Sequence, residues 1–275
     1  MNDAECVAFL QWALPRMSLQ WSGFRKVRRL VCKRISRRCQ MLGLADVAAY
    51  RQRLETIPDE WHELRSLCSI PISRFMRDRE MFRVLEGVVL PELAEAARGA
   101  RTFACWSAGC ASGEEPYTLS IIWELALAAR YPSVRLQVLA TDVDPVLLER
   151  AVVACYPASA LRELPAAWRA AAFATHGATF CLRRPFRTSV EFLRQDLCTA
   201  MPDRRFDLVL CRNVAFTYFS RDAQLTTARG LADRLRVGGA LVIGVHESLP
   251  LEAPGFVAWQ GARSVFRRVA ARAGG

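Results

Sequence analysis

The sequence is poor in long apolar runs, in histidine and in lysine, and each shortage limits what its 275 residues can form. No stretch of about 18 apolar residues occurs, so we expect no membrane-spanning helix. The three histidines, His62, His176 and His246, lie far apart, and no two cysteines form a CxxC pair. Local sequence therefore offers no zinc-ligand spacing, and we expect no metal site. Apart from Lys26 and Lys33, every basic residue is arginine.

The cysteines are spread along the chain rather than clustered: Cys6, Cys32, Cys39, Cys68, Cys105, Cys110, Cys155, Cys181, Cys198 and Cys211. Several lie inside apolar, strand-like runs, where cysteine behaves as a small hydrophobic residue. Because disulfide scaffolds are typical of much shorter secreted chains, we expect reduced, buried thiols and a cytoplasmic protein. The first residues, MNDAECVAFLQW, contain acids and no basic segment, which argues against a secretory signal.

The balance of charge is strongly positive, since 38 lysines and arginines against 27 acids give a net charge of +11. With 52% hydrophobic and 24% charged residues, the composition is typical of a packed globular protein and excludes a disordered chain. The excess charge leaves three interpretations open at this point. They are binding to nucleic acid, binding to an acidic protein surface, and solubility alone.

The first 70 residues have helical patterning. Between 24 and 38, apolar residues recur at helical spacing, and the residues among them include no acid and eight bases: Arg25, Lys26, Arg28, Arg29, Lys33, Arg34, Arg37 and Arg38. This predicts one amphipathic helix whose basic face is either a solvated surface or a partner site. Further helices are predicted at about 44–55, with Asp46 as cap, and at about 58–66. Pro71 marks a break, so we place a helical domain at 1–72.

From residue 79 onward, helical and strand-like segments alternate, which is typical of an α/β protein with a mostly parallel sheet covered on both faces. The predicted strands are 102–108, 136–141, 190–194, 206–211, 239–245 and an edge strand at 264–270. The predicted helices are 79–98, 117–130, 145–153 and 221–235. The segment 157–189 interrupts the alternation and is predicted to form a helix and a short hairpin. The second domain therefore spans 73–275.

A glycine-containing loop, residues 107–113, follows the first predicted strand and opens a helix. Gly109 and Gly113 would let the backbone approach a ligand at the carboxyl edge of the sheet. The spacing is neither the dinucleotide fingerprint nor a Walker loop, so a tight turn is the alternative. Asp142 ends the next strand, where a carboxylate can accept hydrogen bonds from a ribose diol. Capping of the next helix is the alternative for Asp142, but Asp144 suits that role better.

Glu114 and Glu115 open the helix that follows the glycine-containing loop. Carboxylates are favourably placed at a helix N-terminus, which explains both without any function. The functional alternative is that one of them pairs with a cationic group of a ligand. The two do not form an acid–base pair for hydrolysis, because adjacent residues of a helix do not face each other.

Four motifs stand in order along the second domain: WSAGCASGEEPYTL, ATDVD, FDLVLCRNV and GGALVIGVHESL. As a set they resemble the CheR family of chemotaxis methyltransferases, which transfer a methyl group from S-adenosylmethionine to receptor glutamates. The motifs cover about 69–250, and the basic N-terminal helix also fits the family. The resemblance implies a Rossmann-like, S-adenosylmethionine-dependent methyltransferase sheet with a small antiparallel insert, preceded by a small all-α domain.

Matching positions carry over a set of residues that bind the cofactor S-adenosylmethionine, whose product is S-adenosylhomocysteine: Ser73, Arg77, Gly109, Glu115, Asp142, Asp196, Leu197, Asn213 and Val214. The resemblance places Asp142 on the ribose, and Asp196 and Leu197 beside the adenine. Residues 71–77 read PISRFMR where the family has Asn-x-Thr-x-Phe-Phe-Arg, so Pro71 loses an amide while the hydroxyl and the guanidinium remain.

Arg77 and Tyr218 are the predicted catalytic residues. Arg77 could orient a carboxylate by charge-assisted hydrogen bonds. The family usually reads CRNVxIYF, and the sequence here, CRNVAFTYF, is one residue longer. Tyr218 is therefore either a residue that positions the acceptor carboxylate or a half-buried aromatic. His246 stands where the family often has serine, and we expect it to be structural.

The resemblance implies a simple reaction and an acidic partner. A glutamate acceptor, with an unperturbed pKa of about 4.3, is ionised near neutral pH and can attack a methyl group without a general base. The implied partner is the acidic helical region of a chemoreceptor, contacted by Arg25, Lys26, Arg29, Lys33 and Arg37.

Other partners and functions are less well supported. Nucleic acid is not expected as substrate, because residues 213–216 lack the (Asp/Asn/Ser)-Pro-Pro-aromatic motif of enzymes that methylate exocyclic base amines. Membrane insertion is not expected either. Two alternatives stay open, which are a methyltransferase for another protein or small-molecule carboxylate and a noncatalytic cofactor-sensing scaffold.

Overall fold

The computed structural model describes residues 2–70, 72–253 and 255–270, and its chain forms two compact units. The helical unit comprises Met1–Ile70 and Val214–Leu225, and the sheet unit comprises Pro71–Asn213 and Thr226–Gly275. From the sequence we placed 214–225 in the second domain, whereas the structure groups this segment with the helices. Pro71, our predicted break, lies outside the described residues.

The described residues form α-helices with the following bounds: α1 (Asp3–Arg16), α2 (Trp21–Phe24), α3 (Arg28–Met41), α4 (Val47–Thr56), α5 (Glu60–Leu67), α6 (Arg79–Val84), α7 (Leu90–Ala96), α8 (Glu114–Ile122), α9 (Pro145–Val153), α10 (Ala166–Ala172), α11 (Ala215–Tyr218) and α12 (Arg221–Arg234). A π-helical segment, Leu85–Val89, joins α6 to α7, and another, Trp123–Leu127, extends α8. No helix in the described ranges has the length and apolarity needed to span a membrane.

The strands have the following bounds: β1 (Thr102–Ala108), β2 (Arg135–Asp142), β3 (Cys155–Pro157), β4 (Phe173–His176), β5 (Thr179–Leu182), β6 (Val190–Arg194), β7 (Phe206–Cys211), β8 (Leu235–Ile243), β9 (Phe256–Trp259) and β10 (Ala262–Arg268). Short 3₁₀ turns at Ala158–Leu161 and Arg184–Phe186 lie on either side of α10, β4 and β5.

The helical unit differs from the sequence prediction at residues 24–38, where two helices stand instead of one. The chain turns at 25–27, because α2 is held against residues 217–219. A Cβ on Gly23 would overlap the carbonyl oxygen of Thr217, and the side-chain amide of Gln20 donates to the same oxygen. This long-range contact is invisible to local periodicity. Asp46 caps α4 as predicted, its carboxylate accepting from the N–H of Ala49 at 2.8 Å.

A buried carboxylate holds α3, α4 and α5 together. Glu60 is 3% exposed and accepts from the guanidinium of Arg38 at 2.9 and 3.0 Å, from Arg53 at 3.2 Å and from the Tyr50 hydroxyl at 2.9 Å. Burial opposes ionisation of Glu60, yet these three donors leave its pKa lowered. Because a buried charge is tolerated only when it is paired, Arg38 serves the core rather than a partner.

The main sheet of the sheet unit has the strand order β6-β2-β1-β7-β8-β10-β9. The strands β6, β2, β1, β7 and β8 run parallel, while β10 is antiparallel to both of its neighbours. Residues 264–270 were predicted as an edge strand, and this is wrong, because β9 lies outside β10. The α/β class with a mostly parallel sheet is confirmed, as is the small antiparallel insert, in which the strand order is β3-β5-β4.

The cysteines depart in part from our expectation of reduced thiols. Disulfides join Cys6 to Cys32 and Cys155 to Cys181. The second pair stands directly opposite across β3 and β5, and the first joins α1 to α3, so both depend on packing that spacing alone does not reveal. Among the described residues the other cysteines lie outside these two disulfides, and all of them are buried except Cys198, which is half-buried.

Candidate functional site

The parallel strands end at one edge of the sheet, and the segments that follow them form the candidate site. The strand order reverses between β1 and β7, and α/β sheets bind ligands outside the carboxyl ends of the strands at such a reversal. The predicted site residues of the sheet unit come from the ends of β1, β2, β6 and β7 and from the segment 72–78.

The glycine-containing loop, residues 107–113, is hydrogen-bonded to the end of β2. The N–H groups of Gly109 and Cys110 both donate to the carbonyl of Thr141, at 2.8 and 3.0 Å. Gly113 has φ +89°, and a Cβ there would lie 2.9 Å from the Cβ of Ala151. Both the backbone conformation and the packing therefore require glycine at the start of α8.

Asp142 lies at the end of β2, as predicted, and does not cap a helix. One carboxylate oxygen accepts from the N–H of Ala111 at 2.8 Å, and the other from the N–H of Asp144 at 3.0 Å. Burial raises the pKa of Asp142. The cap of α9 is Asp144, which accepts from Val146 at 2.9 Å. Each oxygen of Asp142 thus retains acceptor capacity, which suits the hydroxyls of a ribose.

Arg212 joins three of the predicted segments, although we did not expect a role for it from the sequence. Its guanidinium donates to Glu115 at 2.9 Å, to Asp78 at 2.6 Å and to the backbone carbonyl of Arg77 at 2.8 Å. The second oxygen of Glu115 accepts from the Ser107 hydroxyl at 2.7 Å. The sequence signal that could have identified Arg212 is its place in the third motif, directly before the predicted site residue Asn213.

Arg77 occupies the predicted segment, but its side chain turns back on that segment and donates to the carbonyl of Ile72 at 2.6 Å. Among the described residues it forms no ion pair. The segment itself is fixed, because the N–H of Met76 donates to the Thr118 hydroxyl of α8 at 3.2 Å. Phe75 packs edge-on against Tyr156 of the insert, with ring centroids 4.9 Å apart.

Ser73 also lies in this segment and donates to Glu114, whose role the sequence left open. Glu114 is 4% exposed and also accepts from the Ser112 hydroxyl at 3.0 Å. The Tyr156 hydroxyl donates to the carbonyl of Ser112 at 2.7 Å. Burial raises the pKa of Glu114, although its hydrogen bonds oppose the rise. Glu114 therefore ties the predicted segment to the glycine-containing loop, whereas Glu115 turns toward Arg212.

Asp196 and Leu197 follow β6 beside the end of β2. The preceding Gln195 donates its N–H to the carbonyl of Asp142 at 3.0 Å, which brings this loop next to the predicted ribose site. Asp196 accepts from the N–H of Cys198 at 2.9 Å. The buried Oε1 atom of Gln195 has no hydrogen-bond partner in the described part of the chain.

Asn213 follows Arg212 at the end of β7 in the left-handed conformation, with φ +55°. Its N–H donates to Glu247 at 2.8 Å, and the same carboxylate oxygen accepts from the N–H of Gly244 at 2.6 Å. A non-glycine residue in this conformation costs about 1–3 kcal/mol and persists only where its surroundings hold it. Glu247 was not among the predicted site residues, although it stands in the fourth motif beside His246, which is exposed.

Val214 and Tyr218 belong to the helical unit. The ring of Tyr218 packs against Phe24, with centroids 5.0 Å apart, and its backbone carbonyl accepts from the N–H of Gln20 at 2.8 Å. This environment agrees with the alternative that Tyr218 is a half-buried aromatic residue. The proposed role of Tyr218 at the acceptor stays a prediction.

Comparison with known proteins agrees with the motifs. Residues 72–264 match the family described as "CheR methyltransferase, SAM binding domain". The chain belongs to the CheR methyltransferase family. It is 39% identical over 187 residues to the chemotaxis protein methyltransferase of Listeria innocua, covering 68% of this chain and 69% of that protein. It is 30% identical to the probable chemotaxis protein methyltransferase of Rhizobium etli, covering 82% of this chain and 85% of that protein.

S-adenosylmethionine is therefore the cofactor, and the residues at the sheet edge fit it. Asp142 has free acceptor capacity for a ribose, and the unpaired Oε1 of Gln195 suits an exocyclic amine such as that of adenine. Glu115 and Asp78 share the single guanidinium of Arg212, so their pairing leaves a net negative charge that suits the ammonium group of the cofactor. Individual contacts of these residues with the cofactor remain predictions.

The raised pKa of Glu114 predicts how stability depends on pH. Because the folded protein holds the Glu114 proton more tightly than the unfolded chain does, the stability conferred by protonation is complete below about pH 4 and is lost as the pH rises through the folded pKa. The free energy of unfolding of the wild type, relative to Glu114→Gln, should therefore fall with rising pH and then level off. Urea unfolding between about pH 4 and 8 measures this difference.

Glu149→Gln, which removes an exposed carboxylate from α9, controls for the general loss of one negative charge. A difference between wild type and Glu114→Gln that rises with pH would contradict the assignment of Glu114 as a desolvated acid.

Proposed function

We propose that this methyltransferase esterifies glutamate side chains in the acidic helical region of a chemotaxis receptor. The observation that carries the proposal is a cationic face on the helical unit, formed by Arg25, Lys26, Arg29, Lys33 and Arg37. All five are exposed, and none forms an ion pair within the described residues. The relatives named as chemotaxis protein methyltransferases support the same pathway.

The structure separates this face from the other basic residues of 24–38. Arg28 pairs with Asp3 at 3.0 Å, Arg38 pairs with Glu60, and Arg34 donates to the carbonyls of Leu67 and Ser69. These contacts hold the unit together. In the part of the chain that the structure describes, the five exposed residues form no ion pair, so their charge is available to steer an acidic partner.

The face also has apolar positions that suit a helix as partner. Leu30 is 40% exposed and Met41 is 73% exposed, both on α3. An amphipathic helix with acidic flanks could place apolar side chains against these two residues and carboxylates against the cations. Nucleic acid would use the cations alone, because phosphates give the apolar positions nothing to contact.

Methyl transfer from S-adenosylmethionine to a glutamate requires the protein mainly to bind and orient the two reactants. S-adenosylmethionine supplies a methyl group on a sulfonium, which is already activated for transfer. A glutamate, with an unperturbed pKa of about 4.3, presents an ionised oxygen near neutral pH, so no base has to remove a proton. We propose that Asp142, Glu115 and Asn213 hold the cofactor and that Arg77 releases Ile72 to orient a carboxylate. Orientation and exclusion of water then provide the rate enhancement.

The direct test uses methyl-tritiated S-adenosylmethionine and an acidic helical fragment of a chemoreceptor. Glutamate methyl esters release their methyl group as volatile methanol in base, so we expect base-labile label on the fragment. A fragment with glutamines in place of the candidate glutamates should take up none. Base-stable label would indicate a different acceptor group. An absence of label on any carboxylate despite cofactor binding would favour a noncatalytic scaffold.

The cationic face predicts a specific loss of acceptor binding. Lys33→Glu should raise the KM for the receptor fragment roughly 3- to 10-fold and leave the KM for S-adenosylmethionine unchanged, because attraction becomes repulsion. The defect should shrink at high salt, where exposed charges are screened. Steady-state kinetics at two salt concentrations measure both effects.

Arg205→Glu is the matched control, since it changes the net charge equally at an exposed residue outside the face. Equal effects of the two substitutions would mean that total charge, and not this face, governs the acceptor.

A further inference from the structure

We infer that Arg212 is a positioning residue for the cofactor, acting through Glu115 and through the backbone of residues 77–78. The inference rests on the proposed role of Glu115 at the cofactor but is independent of the acceptor. Nothing in the family match assigns a role to this side chain.

The first observation is burial in the middle of the site. The side chain of Arg212 is 2% exposed, while its partners Glu115 and Asp78 are 13% and 26% exposed. The guanidinium is therefore enclosed, whereas both carboxylates are more exposed than the arginine that joins them. A residue in this position has little room to touch a ligand directly, but it decides where the two carboxylates stand.

The second observation is that three separate chain segments meet on this one guanidinium. Glu115 belongs to α8, Asp78 to the turn before α6, and Arg212 itself to the end of β7, next to Asn213. Asp78 and Asn213 are both non-glycine residues with positive φ, at +65° and +55°. The planar fork of an arginine can bond two carboxylates and a carbonyl at fixed angles, which a lysine cannot do.

The third observation distinguishes Arg212 from a purely structural ion pair. Its guanidinium carbon lies 5.1 Å from the ring centroid of the buried Phe82, so an aromatic ring packs beside it. Its Nε donor is buried and has no hydrogen-bond partner in the residues that the structure describes. By contrast, the Nε donor of Arg38, in the helical unit, is bonded to Glu60. Buried donors are rarely left unpaired without a reason, and such exceptions are often found at functional sites.

Replacing Arg212 could either weaken or tighten cofactor binding, and the direction of the change in affinity distinguishes two roles for this residue. If Arg212 positions Glu115, its loss disorders the carboxylate and weakens cofactor binding. If Arg212 merely balances charge, its loss leaves two unneutralised carboxylates. That change would tighten the binding of cationic S-adenosylmethionine relative to S-adenosylhomocysteine, which has no sulfonium.

The test is calorimetric titration of the full chain with S-adenosylhomocysteine and with S-adenosylmethionine. Arg212→Gln should weaken both at least tenfold, and Arg212→Lys should recover only part of the loss. Arg38→Gln is the control for a merely structural role, because it breaks a buried ion pair and should lower the melting temperature while leaving both affinities within twofold. Circular dichroism fixes a temperature at which every variant is folded.

A double-mutant cycle shows whether Arg212 acts through Glu115. The variant that carries both Arg212→Gln and Glu115→Gln should lose much less affinity than the product of the two single losses, because both changes break the same contact. Multiplicative losses, unchanged affinity of folded Arg212→Gln, or tighter binding of S-adenosylmethionine would each overturn the inference. The readout is affinity, so a failure of glutamate methylation would contradict the proposed function while this test still decides the role of Arg212.

Discussion

The parallel alignment of β6, β2, β1, β7 and β8 is the constraint on which the site depends. Parallel strands bring their carboxyl ends to one edge, so residues separated by many positions in the chain become neighbours there. Asp142, the loop at 107–113, the loop after β6 and Arg212-Asn213 all reach this edge for that reason. Carboxylates then accept hydrogen bonds from the loop backbone, because Asp142 bonds the N–H of Ala111 and Glu247 bonds the N–H of Asn213.

Acidic side chains thus have two structural roles in the sheet unit. Glu247 and Glu114 hold backbone and hydroxyl groups in place, while Glu115 and Asp78 share a guanidinium and retain exposure. In the helical unit the roles are reversed, since its exposed face is cationic and its buried acid, Glu60, is neutralised internally. Each unit therefore presents the charge suited to its own partner, which is the cationic cofactor for one and the proposed acidic helix for the other.

Local sequence patterns predicted many of the helices and strands, but they did not predict the strand order or the long-range contacts. The apolar run of β1 was predicted at its observed bounds, because a buried parallel strand leaves a continuous apolar signature. The prediction that β10 is an edge strand was wrong, because strand order is set by the pairing of strands and not by their composition. The helix predicted at 24–38 was broken for a similar reason, because contacts of Gly23 and Gln20 with Thr217 end α2 early.

The same distinction applies to the site. Motifs indicated Asp142 and Glu115, but Arg212 bonds partners 97 and 134 positions away, and no spacing rule connects them. Likewise, the eight basic residues of 24–38 look equivalent in sequence. The structure separates Arg28, Arg34 and Arg38, which have partners inside the helical unit, from the five that remain exposed. Long-range pairing, rather than residue type, decides which charge is available for function.

The central claim is that the carboxyl edge of the sheet binds the cofactor and that Asp142 holds it. The affinity of Asp142→Asn for S-adenosylhomocysteine, compared with that of Asp144→Asn, tests this most directly. The two acids are two positions apart, but one faces the loop at 107–113 and the other caps α9. The account predicts a loss of about tenfold or more for Asp142→Asn and little change for Asp144→Asn. Equal affinities of the two folded variants would contradict it.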